Sequence, residues 1–256
     1  MFTIHSKQLL DMTVVQPSSF KSRMMGHLME RFPQKAELLG TDQLGHFLDA
    51  VMQQLPALGI RHRHPASIYA DLCMMLGTGF LRDPLWKPVA RILNDPSFPI
   101  IKRLNRCYDE SKRSMAEING PAPFPEAVAA TLSEISYDDL EDAIGTDVDS
   151  LRSFASKLWP ARFELVAGGF GEQYELVAAR APSLGISNPY GINFIVLLSF
   201  LFGIDVDTDP QYEWMNGVFR DPQYNDEYYK LCSLHFFMQK YLEALLQPNP
   251  HPENAN

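Results

Sequence analysis

The stretch TDQLGHFLDAVMQQLPALGI, residues 41–60, decides the fold class. Leu44, Phe47, Leu48, Val51, Met52 and Leu55 recur at the i, i+3, i+4, i+7 spacing that places apolar side chains on one stripe of an α-helix. Thr41-Asp42 supplies a helix start, because a short oxygen-bearing side chain can accept from the free N–H groups of a first turn. Gly59 can adopt the left-handed conformation that ends the helix. Downstream, the spacing predicts a helix from near Pro65 that buries Ile68, Leu72, Met75 and Leu76 and stops by Gly77 or Gly79. Asp83-Pro84 is a cap followed by proline at the first helical position, where its missing N–H costs nothing, and the helix carries Trp86, Val89, Ile92 and Leu93. Asp95-Pro96 repeats the device before a longer helix through Ile101, Leu104, Tyr108 and Met115. Upstream, about 19–31, Phe20, Met24, Leu28 and Phe32 fall along one side of another. No run with period-two alternation competes, so the chain is expected to be all-α.

The same signals return later in the chain. Phe32-Pro33 and Glu37-Leu38 match Trp159-Pro160 and Glu164-Leu165 at an offset of 127. After one residue is lost near Gly40 the offset holds at 126. There Pro56, Leu58, Gly59 and Ile60 fall on Pro182, Leu184, Gly185 and Ile186, and Gly77 falls on Gly203. Asp83-Pro84 falls on Asp209-Pro210, and Asp95-Pro96 on Asp221-Pro222. Glycine and proline mark turns and helix ends, so four turn signals in one register read as an internal duplication. The expected plan is two tandem helical units, about 15–118 and 146–246, packed with pseudo-symmetry. Residues 1–118 carry the first unit; 119–145 form a Pro-rich linker and a short acidic helix, with Ser136 and Asp139 in capping-box spacing; 146–246 carry the second unit; 247–256 form a disordered tail. Within the second unit, 193–203 is apolar all round, which fits a helix enclosed on every side.

At 256 residues, 46% hydrophobic and 21% charged, the chain has ordinary globular composition and excludes disordered, collagen-like and disulfide-scaffold classes. Cys73, Cys107 and Cys232 are too few and scattered for a disulfide framework or a zinc site, which points to a reducing compartment. The opening MFTIHSKQLLDM lacks the layout of a signal peptide, and the longest apolar run, 194–202, is far short of the ~20 residues a membrane span needs. A cytoplasmic protein with no membrane association is expected. Charge divides sharply: residues 1–118 hold 15 Lys+Arg against 11 Asp+Glu, and residues 119–256 hold 7 against 20. The densest stretch, 126–149, has eight acids and no base. Such a run is either a solvated face or a docking surface, since clustered like charge speeds encounter with a basic partner and repels wrong ones. Asp138, Asp139, Glu141, Asp142, Asp147 and Asp149 are the candidate partner-binding residues. Nucleic acid is not an expected partner, because the basic clusters Lys102, Arg103, Arg106, Lys112, Arg113 and the turn Arg61-His62-Arg63-His64 are short and sit beside acids.

Chemical motifs point to no catalysis. Asp205, Asp207 and Asp209 resemble the opening of a calcium loop, but Pro210 stands where the sharp turn needs glycine and Asn216 where a bidentate glutamate belongs. His62 and His64 cannot complete a metal site alone. Gly168-Gly169-Phe170-Gly171 has no preceding strand and no following Lys-Ser/Thr, so it reads as a helix boundary. Trp214, Phe219, Tyr224, Tyr228 and Tyr229 form an aromatic cluster that is either core or an exposed contact surface. No cofactor, no metal and no enzymatic activity are expected.

One resemblance adds to this. Phe20-x-x-Arg23, Phe32-Pro33, Leu58-Gly59-Ile60, Tyr69-x-x-Leu72, Gly77-x-x-Phe80, Asp83-Pro84 and Ile92-Leu93-Asn94-Asp95 follow in an order that resembles a group of small helical bacterial proteins encoded beside type VI secretion spike and effector genes. The likeness covers about 1–100 and, more loosely, 150–225, where Asn188-Pro189-Tyr190 departs from it. It implies work alongside a secreted toxin and assigns no functional residues. A non-catalytic immunity protein that neutralises a cognate toxin or effector with a basic surface is therefore expected, the alternative being an accessory chaperone or adaptor that loads an effector.

Overall fold

In the computed structural model, which describes residues 17–119 and 124–247, every regular element is a helix. The first half contains α1 (Pro17–Arg31), α2 (Pro33–Gln54), α3 (Arg63–Leu76), a 3-10 turn (Pro84–Trp86), α4 (Lys87–Asn94) and α5 (Ile100–Asn119). Then come α6 (Glu126–Glu134) and α7 (Tyr137–Ile144). The second half contains α8 (Val148–Leu158), α9 (Pro160–Val166), α10 (Phe170–Arg180), a 3-10 turn (Ala181–Leu184), α11 (Pro189–Phe202), a 3-10 turn (Pro210–Tyr212), α12 (Glu213–Arg220) and α13 (Glu227–Leu246). The expected tail from 248 and the proline run 120–123 lie outside the described residues.

The apolar stripes do what their spacing predicts. Leu44, Phe47, Leu48 and Val51 of α2 are fully buried, as are Leu28 of α1 and Leu72 of α3. The all-apolar α11 buries twelve of its fourteen residues. Buried side chains from Phe20 to Leu242 form one continuous core to which both halves contribute.

Contacts between the halves are reciprocal. Asp83 Oδ1 accepts from Leu85 N–H and caps its own turn, while its Oδ2 accepts from Ile204 N–H at 3.2 Å. Asp209 Oδ1 accepts from Gln211 N–H, and its Oδ2 accepts from Thr78 N–H at 2.6 Å. Gln54 Nε2 donates to the Thr78 carbonyl, and Arg180 Nη2 to the Ile204 carbonyl. Lys35 Nζ donates to Met74 O at 2.6 Å, and Arg162 Nε to Phe200 O at 2.5 Å. Only the two aspartate bonds cross between the halves, at positions related by the 126 offset, and swapped contacts of that kind are the signature of an isologous interface; the glutamine, arginine and lysine bonds instead recur within each half. Gly77 and Gly203, with φ of +92° and +112°, turn the chain toward the opposite half, each beside the other half's aspartate.

Several expectations change. α2 is broken at Gly40 (φ +71°), so a helix does restart at Thr41-Asp42, but a further helical stretch from Pro33 precedes it. Arg63 and His64 belong to the first turn of α3, not to a surface turn. Asp95 accepts from Ser97 N–H in a turn, and α5 starts only at Ile100. The segment 119–145 holds two helices rather than one and is no bare linker: Val128, Ala129, Leu132, Leu140 and Ile144 are buried, and α6 packs along α13. Among the described residues no single helix is long and apolar enough to cross a membrane; Phe170–Leu184 and Pro189–Phe202 reach that composition only as a pair bent by 119°.

Candidate functional site

The acidic segment lies at one edge of the bundle, placed by the buried Asn193 of α11. Its Nδ2 donates to the carbonyls of Ile144, Gly145 and Asp147 at 2.9–3.1 Å, which fastens the α7–α8 turn to the central helix. Gln239 of α13 donates to the carbonyls of Ser133 and Ile135 and so ties down the end of α6. Among the six predicted residues, two have local duties. Ser136 Oγ accepts from Asp139 N–H and donates to the Asp139 carboxylate. Asp147 caps α8, accepting from the N–H groups of Asp149 and Ser150 and from Ser150 Oγ, and these bonds hold its carboxyl below the usual carboxylate range. Asp138, Asp142 and Asp149 are exposed and Glu141 is half-buried. No ion pair among the described residues involves any carboxylate of 126–149, so the edge keeps its full negative charge.

Aromatic rings adjoin it. Trp214, Phe219 and Tyr224 are partly buried against the core, but Tyr228 and Tyr229 at the start of α13 are 61% and 66% exposed, and Phe236 on the same helix is 52% exposed. The aromatic cluster therefore divides between the two roles open to it. Tyr137 of α7 meets Tyr228 edge-on at 5.9 Å, and the Tyr228 hydroxyl's pKa is raised, first by the Cys232 thiol beside it and further by Asp138. Charge and exposed rings thus share one edge, built from α7 and α13, elements about ninety residues apart in the chain.

A second feature escaped the sequence reading. A cavity of about 380 Å³ opens between the halves. Its walls are Phe32, Met75, Leu76, Trp86 and Met115 from the first half and Phe124, Trp159, Leu201, Phe202, Tyr212, Tyr241 and Leu245 from the rest. Arg31, Lys35 and Arg162 also line it, and no carboxylate does. Arg162 is 6% exposed, with its guanidinium 4.9 Å from the centre of the Trp159 ring. Burial pulls its pKa down to about 10, opposed by Asp83 behind it. Burial likewise pulls Lys35 down to about 8, opposed by Asp209. Both aspartates are pushed above the usual carboxylate range, because desolvation outweighs their cations and backbone donors. The clue was in the sequence: Phe32-Pro33-x-Lys35 and Trp159-Pro160-x-Arg162 are the same motif in the two halves.

Asp205 and Asp207, read against a calcium loop, face cations instead. Arg82 and Arg180 pair with Asp205 at 2.5 and 2.9 Å, and Arg180 pairs with Asp207 at 2.9 Å. No group of three or more metal-type side chains converges among the described residues. Of the basic clusters, Arg103 is spent on the Leu93 carbonyl, Lys102 and Arg106 lie over the Phe98 ring, and Arg113 pairs with Glu110. No family model, no curated protein and no solved structure matches this chain.

Proposed function

We propose that this chain is a non-catalytic binding protein that docks a basic partner on the α7–α13 edge and serves as the immunity protein of a secreted toxin. The observation that carries the reading is the union of unpaired carboxylates with exposed Tyr228, Tyr229 and Phe236. Carboxylates alone would serve as a solvated face. Large rings beside them supply the apolar contact from which interfaces draw most of their energy, while charge steers the encounter. Asn193 and Gln239 hold the edge on rigid helices, so little ordering entropy is lost on docking. The resemblance to proteins encoded beside secretion effectors supports a toxin as the partner.

The test is affinity purification of the chain's partners from its host, followed by reconstitution with any toxin domain recovered. Co-expression should rescue growth, and the purified pair should form an equimolar, salt-sensitive complex. Asp138→Lys with Asp142→Lys should weaken it by about tenfold or more, and Tyr229→Ala should cost at least about 2 kcal/mol, the scale of an interface anchor. Rescue that survives all three substitutions would move the interface elsewhere. Binding to an effector's non-toxic N-terminus, with secretion lost and no self-poisoning on deletion, would establish the loading adaptor instead.

A further inference from the structure

We propose that the cavity between the halves binds a small amphiphile, a single carboxylate carried on an apolar body. Its size falls within the roughly 300–1,000 Å³ that small-molecule sites occupy. Ring faces of Trp86, Trp159 and Phe202, with the adaptable Met75 and Met115, offer an apolar body a site from which water gains nothing. The polarity of the head follows from the charges. Every ionic group on the wall is a cation, in a chain whose net charge is −9.

Those cations have donors to spare. Asp83 and Asp209 lie behind Arg162 and Lys35 and offset their charge, yet each aspartate commits both oxygens to backbone N–H groups. Neither forms a direct ion pair with its cation among the described residues. Among the described residues Arg162 donates only through Nε, to the Phe200 carbonyl, and Lys35 spends one of three donors, on the Met74 carbonyl. Holding the last carbonyls of α11 and α3 accounts for one bond from each cation and leaves the guanidinium fork and two ammonium protons unused. A carboxylate fits that fork with two oxygens. A phosphate dianion would bring a second charge into a site whose cations are already half offset, at a desolvation cost nothing here repays.

The test titrates the full chain with dodecanoate, dodecanol and dodecyltrimethylammonium below their micelle concentrations, by calorimetry and by the fluorescence of Trp86 and Trp159. Dodecanoate should bind one molecule per chain, about tenfold or more tighter than dodecanol, and dodecyltrimethylammonium should not bind, the scale expected of a charge-assisted hydrogen bond. Lys35→Met, at a half-buried position, should remove that advantage and leave dodecanol unaffected. Met115→Trp should block both by filling the space. Arg162→Gln should likewise weaken dodecanoate and spare dodecanol; melting curves verify that each variant folds, and Lys35→Met carries the test if Arg162→Gln does not fold. Equal binding of the three probes, no dodecanoate binding, or dodecanoate affinity unchanged in Lys35→Met would overturn the proposal.

Discussion

Asp83 and Asp209 show how much a single side chain can be asked to do. Each caps a 3-10 turn, satisfies a backbone N–H of the other half, and offsets a buried cation. An exposed cap such as Asp147 does only the first of these. Asp147→Ala should therefore cost about 1 kcal/mol, the ordinary value of an N-cap. Asp83→Ala should cost about 3–5 kcal/mol, because Ile204 N–H loses its acceptor and Arg162 is left as an uncompensated buried charge. Urea denaturation of the two variants checks the ranking, and equal losses would mean the cross-half bond contributes nothing. His235 gives a pH signature. Burial beneath Tyr137 and Phe194 lowers its pKa below the usual 6.5, so the unfolded chain binds the extra proton first. Its contribution is present above 6.5 and is lost as pH falls below that value. Wild type should lose stability relative to His235→Gln as pH falls below about 6.5, read from paired melts at each pH.

At the scale of elements, α6 decides whether the middle of the chain is a tether or a structural part. Its burial of Val128, Ala129 and Leu132 against α13 makes it a part. Leu132→Ala should cost about 2–5 kcal/mol, the range of a fully buried leucine, whereas a tether would tolerate it. The loops where the halves cross are equally demanding. A Cβ on Gly79 would sit 2.0 Å from Asp205 Oδ2, so Gly79→Ala must push Asp205 away from Arg82 and Arg180. Gly26, exposed within α1, meets nothing within 4 Å. Gly26→Ala should stabilise by about 0.5–1 kcal/mol through lost backbone entropy in the unfolded chain. Opposite signs for these two substitutions are the expected calorimetric result.

For the whole molecule, the continuous core and the reciprocal aspartates mean that neither half is complete alone. Trp159 Nε1 of the second half donates to the Ile118 carbonyl of the first, while Lys87 pairs with Glu172 and Arg82 with Asp205, so cations of the first half meet acids of the second. The charge division read from the composition thus has a use inside the molecule as well as on its edge. Unfolding should be a single transition, with circular dichroism and calorimetry coincident, and the isolated 1–118 piece should not hold native helix content. Two separate transitions would show that the halves are independent units.

The local patterns of the chain determined its helices, because a helix depends on spacing, caps and breakers within a dozen residues. Leu44 to Leu55, Asp83-Pro84, Ser136 with Asp139 and the apolar 193–203 all lie where that spacing puts them. One feature misled at this range: the turn at Asp95, where a cap-like residue closes a tight turn instead of starting the helix. The acidic run was legible as composition, but the rings beside it were not, because Tyr228 reaches α7 only through the packing of α13. The cavity and its two cations depend entirely on tertiary structure. Lys35 and Arg162 are marked in sequence only by their matching place in a repeated motif, and only folding the two halves together encloses them between aromatic walls and aspartates whose oxygens are already committed.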